Sequence, residues 1–164
     1  PNFTHIEKDD LPHWKQEGVF IKLIAGEAFG RKSPVPVYSP MYFLEIKATS
    51  AQKVKIGDYL FGESALYILE GSIKSDGNIF EPKQILIAKD SKLCEFEMAE
   101  NTTVYIFGGE VFPEERFIYW NFVSSTKERI EKAKTDWENQ TFPKVPGETE
   151  FVPLPPENNA FKIK

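Results

Sequence analysis

"ALYILEGSIKSDGNIFE", residues 65–81, carries the signal that decides the fold. Two short runs rich in β-branched and aromatic residues are separated by "SDGN", residues 75–78. Asp76-Gly77 between such runs predicts a tight two-residue hairpin, because that turn needs a left-handed backbone which Asp and Gly accept at low cost. The segment therefore reads as consecutive antiparallel strands.

The same grammar extends in both directions. "VFIKLIAG" (19–26), "MYFLEIKA" (41–48), "KVKIG" (53–57), "QILIAK" (84–89), "KLCEFEMA" (92–99) and "TTVYIFGG" (102–109) are short, β-rich and closed by turn residues. In "KVKIG", Val54 and Ile56 alternate with Lys53 and Lys55. "SPVPVYSP" (33–40) contains Pro34, Pro36 and Pro40, which confine it to an edge or an extended loop. Strands at regular spacing with no helical pattern between them predict an all-β antiparallel barrel of jelly-roll type over residues 19–123. Residues 1–18, broken at Leu11-Pro12, read as a linker or lead-in.

Helix returns only in "ERFIYWNFVSSTKERIEKAKTDW", residues 115–137. Ser125 and Glu128 have capping-box spacing, and Ile130, Ala133 and Trp137 fall on one face, so a helix is predicted over 124–138. Residues 139–164 form a Pro-rich extended tail in which Phe151, Val152 and Leu154 are candidate anchors.

Composition narrows the function classes. The 164 residues carry a net charge of −5, which offers little to a phosphate backbone, so nucleic-acid binding is not expected. No apolar run approaches the length of a membrane span, and no secretory signal is visible. The single cysteine, Cys94, excludes an internal disulfide; a cytoplasmic setting is expected. In "KLCEFEMA" it alternates with Glu95 and Glu97, as a thiol packed on an apolar strand face would; the alternative is a reactive nucleophile. No G-x-S-x-G, P-loop, H-E-x-x-H or Rossmann fingerprint occurs. "FGGE" (107–110) reads as a turn, and Glu114 and Glu115 as neighbours on opposite sides of an extended chain.

The 115–137 stretch followed by "FPKVPGETEFVPLP" resembles the C-terminal end of the pirin family. "GVFIKLIAG", "SPV" and "YILEGSI" fit the preceding domain in order and spacing. That resemblance implies a bicupin, two cupin barrels in tandem, of which this chain is similar to the C-terminal one. It further implies that an N-terminal cupin of the same parent polypeptide is the partner and holds iron or another divalent metal. Quercetin 2,3-dioxygenase activity would then belong to the intact protein, and this chain would hold no cofactor. Self-association is an alternative partner reading.

The cupin motif places two His and a Glu where period-2 spacing aims them into the barrel, a donor set suited to iron or manganese. Here Gly71 takes the closing glycine, and Ser64, beside Glu63, takes the Glu position. Asp58 and Leu60 fall at the His positions, or Gly57 and Tyr59 one residue earlier. The two histidines, His5 and His13, lie in the lead-in, outside any predicted strand, and read as solvated imidazoles. Asp58 and Glu63 read as hairpin carboxylates in water; the alternative is weak binding of a cation through their oxygens.

In the aromatic junction, Phe117, Tyr119 and Asn121 alternate with Ile118, Trp120 and Phe122, which predicts one extended segment apolar on both faces. One face would plug this barrel and the other meet the N-terminal barrel or the helix, with Asn121 turning the chain into the helix. Arg116, Tyr119, Trp120, Asn121, Phe122 and Trp137 are thus the interdomain and structural candidates. Alternatively Arg116, Tyr119 or Trp120 reaches the mouth of the metal barrel. Three functions follow: a non-catalytic structural and interaction half, part of a dioxygenase, or a small-molecule-binding barrel lined by Phe and Tyr.

Overall fold

The structure, a computed structural model, describes residues 3–88 and 95–156. Cys94 lies outside the described residues. The chain divides into a unit spanning His5–Val111 and a second unit built from the chain beyond Val111 together with the residues before His5.

Among the described residues the first unit holds eleven strands: β1 (His13–Gln16), β2 (Val19–Ala28), β3 (Arg31–Lys32), β4 (Met41–Ala48), β5 (Gln52–Lys55), β6 (Glu63–Glu70), β7 (Ile73–Ser75), β8 (Asn78–Phe80), β9 (Ile85–Ala88), β10 (Glu95–Met98) and β11 (Thr102–Gly109). A seven-stranded sheet runs β1-β2-β4-β11-β6-β9, with β3 added to β2, and a four-stranded sheet runs β5-β10-β7-β8. Every pairing is antiparallel. The expected all-β antiparallel architecture is present.

Alternation builds the core. Leu44, Ile46, Leu66, Ile68, Val104 and Ile106 of the large sheet are buried to 0% exposure and pack in one cluster with Val54, Ile73, Phe96 and Met98 of the small sheet. Each such side chain contributes about 1.5–3 kcal/mol of hydrophobic stabilisation. The hairpin at Asp76-Gly77 joins β7 to β8 with φ of 48° and 79°, the left-handed pair the spacing predicted.

Several boundaries move. The lead-in is not all linker: β1 pairs with β2, His13 opposite Lys22, so His13 lies on an edge strand rather than outside the sheet. Gly108 and Gly109 of "FGGE" are paired on both sides within β11 and are not a turn. The division between units falls at Val111, twelve residues before the predicted end of the barrel at 123.

The second unit contains β12 (Phe117–Tyr119), β13 (Phe122–Ser124) and α1 (Lys127–Glu138). The junction is therefore a hairpin and not one extended segment: Tyr119 pairs with Phe122, and the chain reverses at Trp120-Asn121. Asn121 closes that loop rather than leading into the helix. The capping box does not form either. Ser124 stays in β13, Thr126 becomes the N-cap, and its side chain makes no capping hydrogen bond. This register puts Glu128 one position too early to reach back, although it still faces the positive end of the helix dipole. Ser124 Oγ instead accepts the Thr126 backbone N–H at 3.2 Å.

Candidate functional site

Of the motif positions, Ser64 lies on β6, beside two further strands of the large sheet. Gly108 of β11 lies opposite Tyr42 of β4 on one side and Ser64 of β6 on the other. Tyr42 and Ser64 are 0% and 2% exposed, and their hydroxyls hydrogen-bond each other. A Cβ on Gly108 would collide first with the Glu63 carbonyl and then with the Tyr42 hydroxyl and ring, so only a glycine fits beside both. Phe61 meets the Tyr42 ring edge-on at 5.2 Å. Burial raises the Tyr42 pKa, with the Ser64 hydrogen bond acting the other way. The pair is thus a neutral, mutually satisfied polar contact in an apolar interior, and none of the described buried side-chain polar atoms lacks a partner.

At the Glu position of the cupin motif the chain therefore presents a hydroxyl already engaged with another hydroxyl. The remaining positions lie apart from it. Gly57, Asp58 and Tyr59 form a 3-10 turn ahead of β6, in which Asp58 is exposed, Leu60 follows as a buried residue, and Tyr59 stacks on Phe29 at 4.1 Å. Asp58 is thus a turn carboxylate, not a hairpin one. Gly71 takes φ of 75°, and a Cβ there would strike Thr102, whose Oγ1 accepts the Ser72 N–H. His5 is exposed and 3.0 Å from Glu7, and His13 Nδ1 lies 2.9 Å from the Leu11 carbonyl. Among the described residues no three His, Cys, Asp or Glu side chains converge. Among the described residues, those at the motif positions offer no imidazole beside a carboxylate, the donor set suited to mononuclear iron or manganese.

The junction residues gather in the second unit. Trp120, held at φ of 53°, meets Phe122 at 5.7 Å and Trp137 at 5.3 Å. Trp137 also contacts Phe142 and Phe151, and its Nε1 donates to the Val152 carbonyl at 2.8 Å. Tyr119 Oη donates to the Pro155 carbonyl at 2.9 Å, which ties the tail to β12. Arg116 lies 4.5 Å over Phe112 and 2.7 Å from Glu114. Asn121 is exposed. Tyr119, Trp120, Phe122 and Trp137 thus belong to the assembly that fastens hairpin, helix and tail. Sequence reasoning missed Tyr42, Phe61 and Gly108. The inward register of "MYFLEIKA", with Tyr42 in phase with Leu44 and Ile46, is the signal that could have found the first.

The family model of the pirin C-terminal cupin domain matches residues 43–143. A pirin-like protein of Caulobacter vibrioides is 42% identical over 163 residues, covering 94% of this chain and 54% of that protein. Human pirin is 25% identical over 149 residues, covering 85% and 50%. A crystal structure of quercetin 2,3-dioxygenase from Acinetobacter baumannii superposes with a TM-score of 0.73 at 25% identity, covering 90% of this chain and 52% of that one. The chain spans about half the length of the curated relatives it matches. Among the described residues no helix is long and apolar enough to cross a membrane.

Proposed function

Because this chain belongs to the pirin family, carrying its C-terminal cupin domain, we propose that it acts as a non-catalytic structural and interaction half. Its partner is an N-terminal cupin of the same parent protein, and iron or another divalent metal resides there. Chemistry of the quercetin 2,3-dioxygenase type, the activity named for the solved relative, belongs to that other barrel. The observation that supports this reading is the Tyr42–Ser64 contact: the motif's carboxylate position is occupied by a hydroxyl bonded to a phenol. The hairpin and α1, with Trp120, Phe122 and Trp137, hold the C-terminal segment in shape for that assembly.

The test is metal retention and turnover. The 164-residue chain, loaded with Fe(II) or Mn(II) and dialysed, should retain no stoichiometric ion by elemental analysis and oxidise no flavonol, whereas the parent protein should do both. One retained equivalent per chain, lost in Ser64→Ala, would overturn the proposal.

A further inference from the structure

The end of α1 and the tail after it build a concave site within the second unit. At the helix C-terminus Gln140 takes φ of 52°, and its N–H donates to the Trp137 carbonyl at 3.0 Å. The chain turns back there and sets Phe142 against Trp137 at 5.8 Å. "VPGE" (145–148) then reverses it again. Pro146-Gly147 has the residue types of a type II turn, Gly147 takes φ of 82°, and the Glu148 N–H closes on the Val145 carbonyl at 3.1 Å. The returning tail lays Phe151 on Trp137 at 5.7 Å. Three rings thus wall a cavity of about 410 Å³, within the range of about 300–1,000 Å³ usual for small-molecule sites. Trp120 and Phe122 support those walls, packing on Trp137 and Phe142 at 5.3 and 5.9 Å without lining the cavity themselves.

Charge and spent hydrogen bonds choose the occupant. The Trp137 Nε1–H already donates to the Val152 carbonyl, so the indole offers the cavity its ring rather than its donor. Phe142 and Phe151 are 40% and 42% exposed, and their planes stand at 61° and 29° to the indole, so the walls face different directions. Aromatic faces are electronegative. Glu148 and Glu150 also line the cavity, against the single cation of Lys144, which leaves a net negative charge. The Glu148 carboxylate accepts the backbone N–H groups of Glu150 and Thr149, each at 2.9 Å, and these bonds hold its pKa below the ordinary glutamate value. It is an anion kept in one place. We infer that this cavity binds a quaternary ammonium group, independently of the role proposed above. A primary ammonium is compact and strongly hydrated, whereas a quaternary one has no N–H to satisfy and is drawn to ring faces and carboxylates. A neutral apolar ligand would gain nothing from the two carboxylates.

Choline titrated into the full-length parent protein tests this, followed by NMR at the Trp137 indole N–H and the backbone amides of residues 142–152. Those signals should shift saturably. The neutral isostere 3,3-dimethylbutan-1-ol keeps the shape and loses the charge, so it should bind about tenfold more weakly. Phe151→Leu should weaken choline by about tenfold and the alcohol by less. Glu148→Gln combined with Glu150→Gln should weaken choline by about threefold at low salt and less at high salt. A free solute is the expected source, so phosphatidylcholine vesicles should not sediment the protein; sedimentation that choline reverses would support the same chemistry on a lipid headgroup. Equal affinity for choline and the alcohol would make the cavity merely apolar, and unmoved Trp137 signals would leave no site there. Either result overturns the inference.

Discussion

Between His5 and Val111 the buried residues are mostly aliphatic, and many of them are excluded from water to 0–2% exposure. Beyond Val111, Ile130 alone among the described residues is buried, Ile118, Val123, Val145 and Val152 are exposed, and the rings Trp120, Phe122, Trp137, Phe142 and Phe151 pack on one another. Two facing sheets enclose a core on all sides, so each methylene added inside counts in full. One hairpin and one helix cannot enclose anything, so large rings and a few hydrogen bonds to the tail must do the fastening. Stability is therefore spread over the first region and concentrated at a few contacts in the second.

The contrast breaks first, if it is wrong, at Leu44. This side chain is fully buried at the centre of the large sheet, and Leu44→Ala should cost about 2–5 kcal/mol, read as a lower urea midpoint. A loss below about 1 kcal/mol would mean that the aliphatic cluster is not what holds the barrel.

The Tyr42–Ser64 pair sharpens the same side. Tyr42→Phe leaves the buried Ser64 hydroxyl without a partner and should cost about 1–3 kcal/mol; adding Ser64→Ala should return part of that, because removing both partners costs less than orphaning one. The pH dependence has a definite sign. Burial puts the folded pKa of Tyr42 above the ordinary tyrosine value, so the unfolded chain loses its proton first. The contribution is whole below about pH 10 and is lost as pH rises through the folded value. Tyr42→Phe should flatten this alkaline limb in pH-dependent melting; an unchanged limb would place the sensitivity elsewhere.

Much of the first region was legible because each strand announces itself locally. Asp76-Gly77 suits its turn by residue type, and the hairpin stands where the spacing put it. Phe29-Gly30 adopts the same left-handed pair, with φ of 54° and 65°, yet reads as apolar chain. Its ring is recruited by Tyr59 at 4.1 Å and Trp14 at 5.2 Å, and that packing overrides the turn preference of the residue. Trp120 hides the second unit's hairpin for the same reason: a bulky residue accepts positive φ to place its ring on Phe122 and Trp137. The site was half legible. Counting back from Gly71 found Ser64, a local step, but its partner Tyr42 depends on β4 and β6 both pairing with β11, a long-range register that spacing does not encode.

On the other side of the comparison, Trp137→Ala removes the ring shared by Trp120, Phe122, Phe142 and Phe151 and the bond to Val152. The ring is only partly covered, so a loss of about 1–2 kcal/mol is expected, less than for a core aromatic. Its location matters more than its size. Hydrogen exchange should speed up in α1 and the β12–β13 hairpin while the barrel amides keep their protection. Equal acceleration in both regions would show that they do not open separately.

The smallest effect belongs to charges. Lys53 and Lys55 hydrogen-bond Glu95, and the contact to Lys53 leads in holding its carboxyl below the ordinary glutamate value. A lowered folded pKa means that the contribution is present above the unfolded value of about 4.3 and is lost as pH falls through the folded one. The group is exposed to solvent, so salt screens it and the side-chain entropy of two lysines opposes it. Glu95→Gln should therefore shift the acid limb of melting slightly at low salt and not at all at high salt. A shift as large as that of Trp137→Ala, persisting in salt, would mean that surface electrostatics rather than the manner of packing separates the two regions, and the contrast between enclosed core and ring cluster would lose its physical basis.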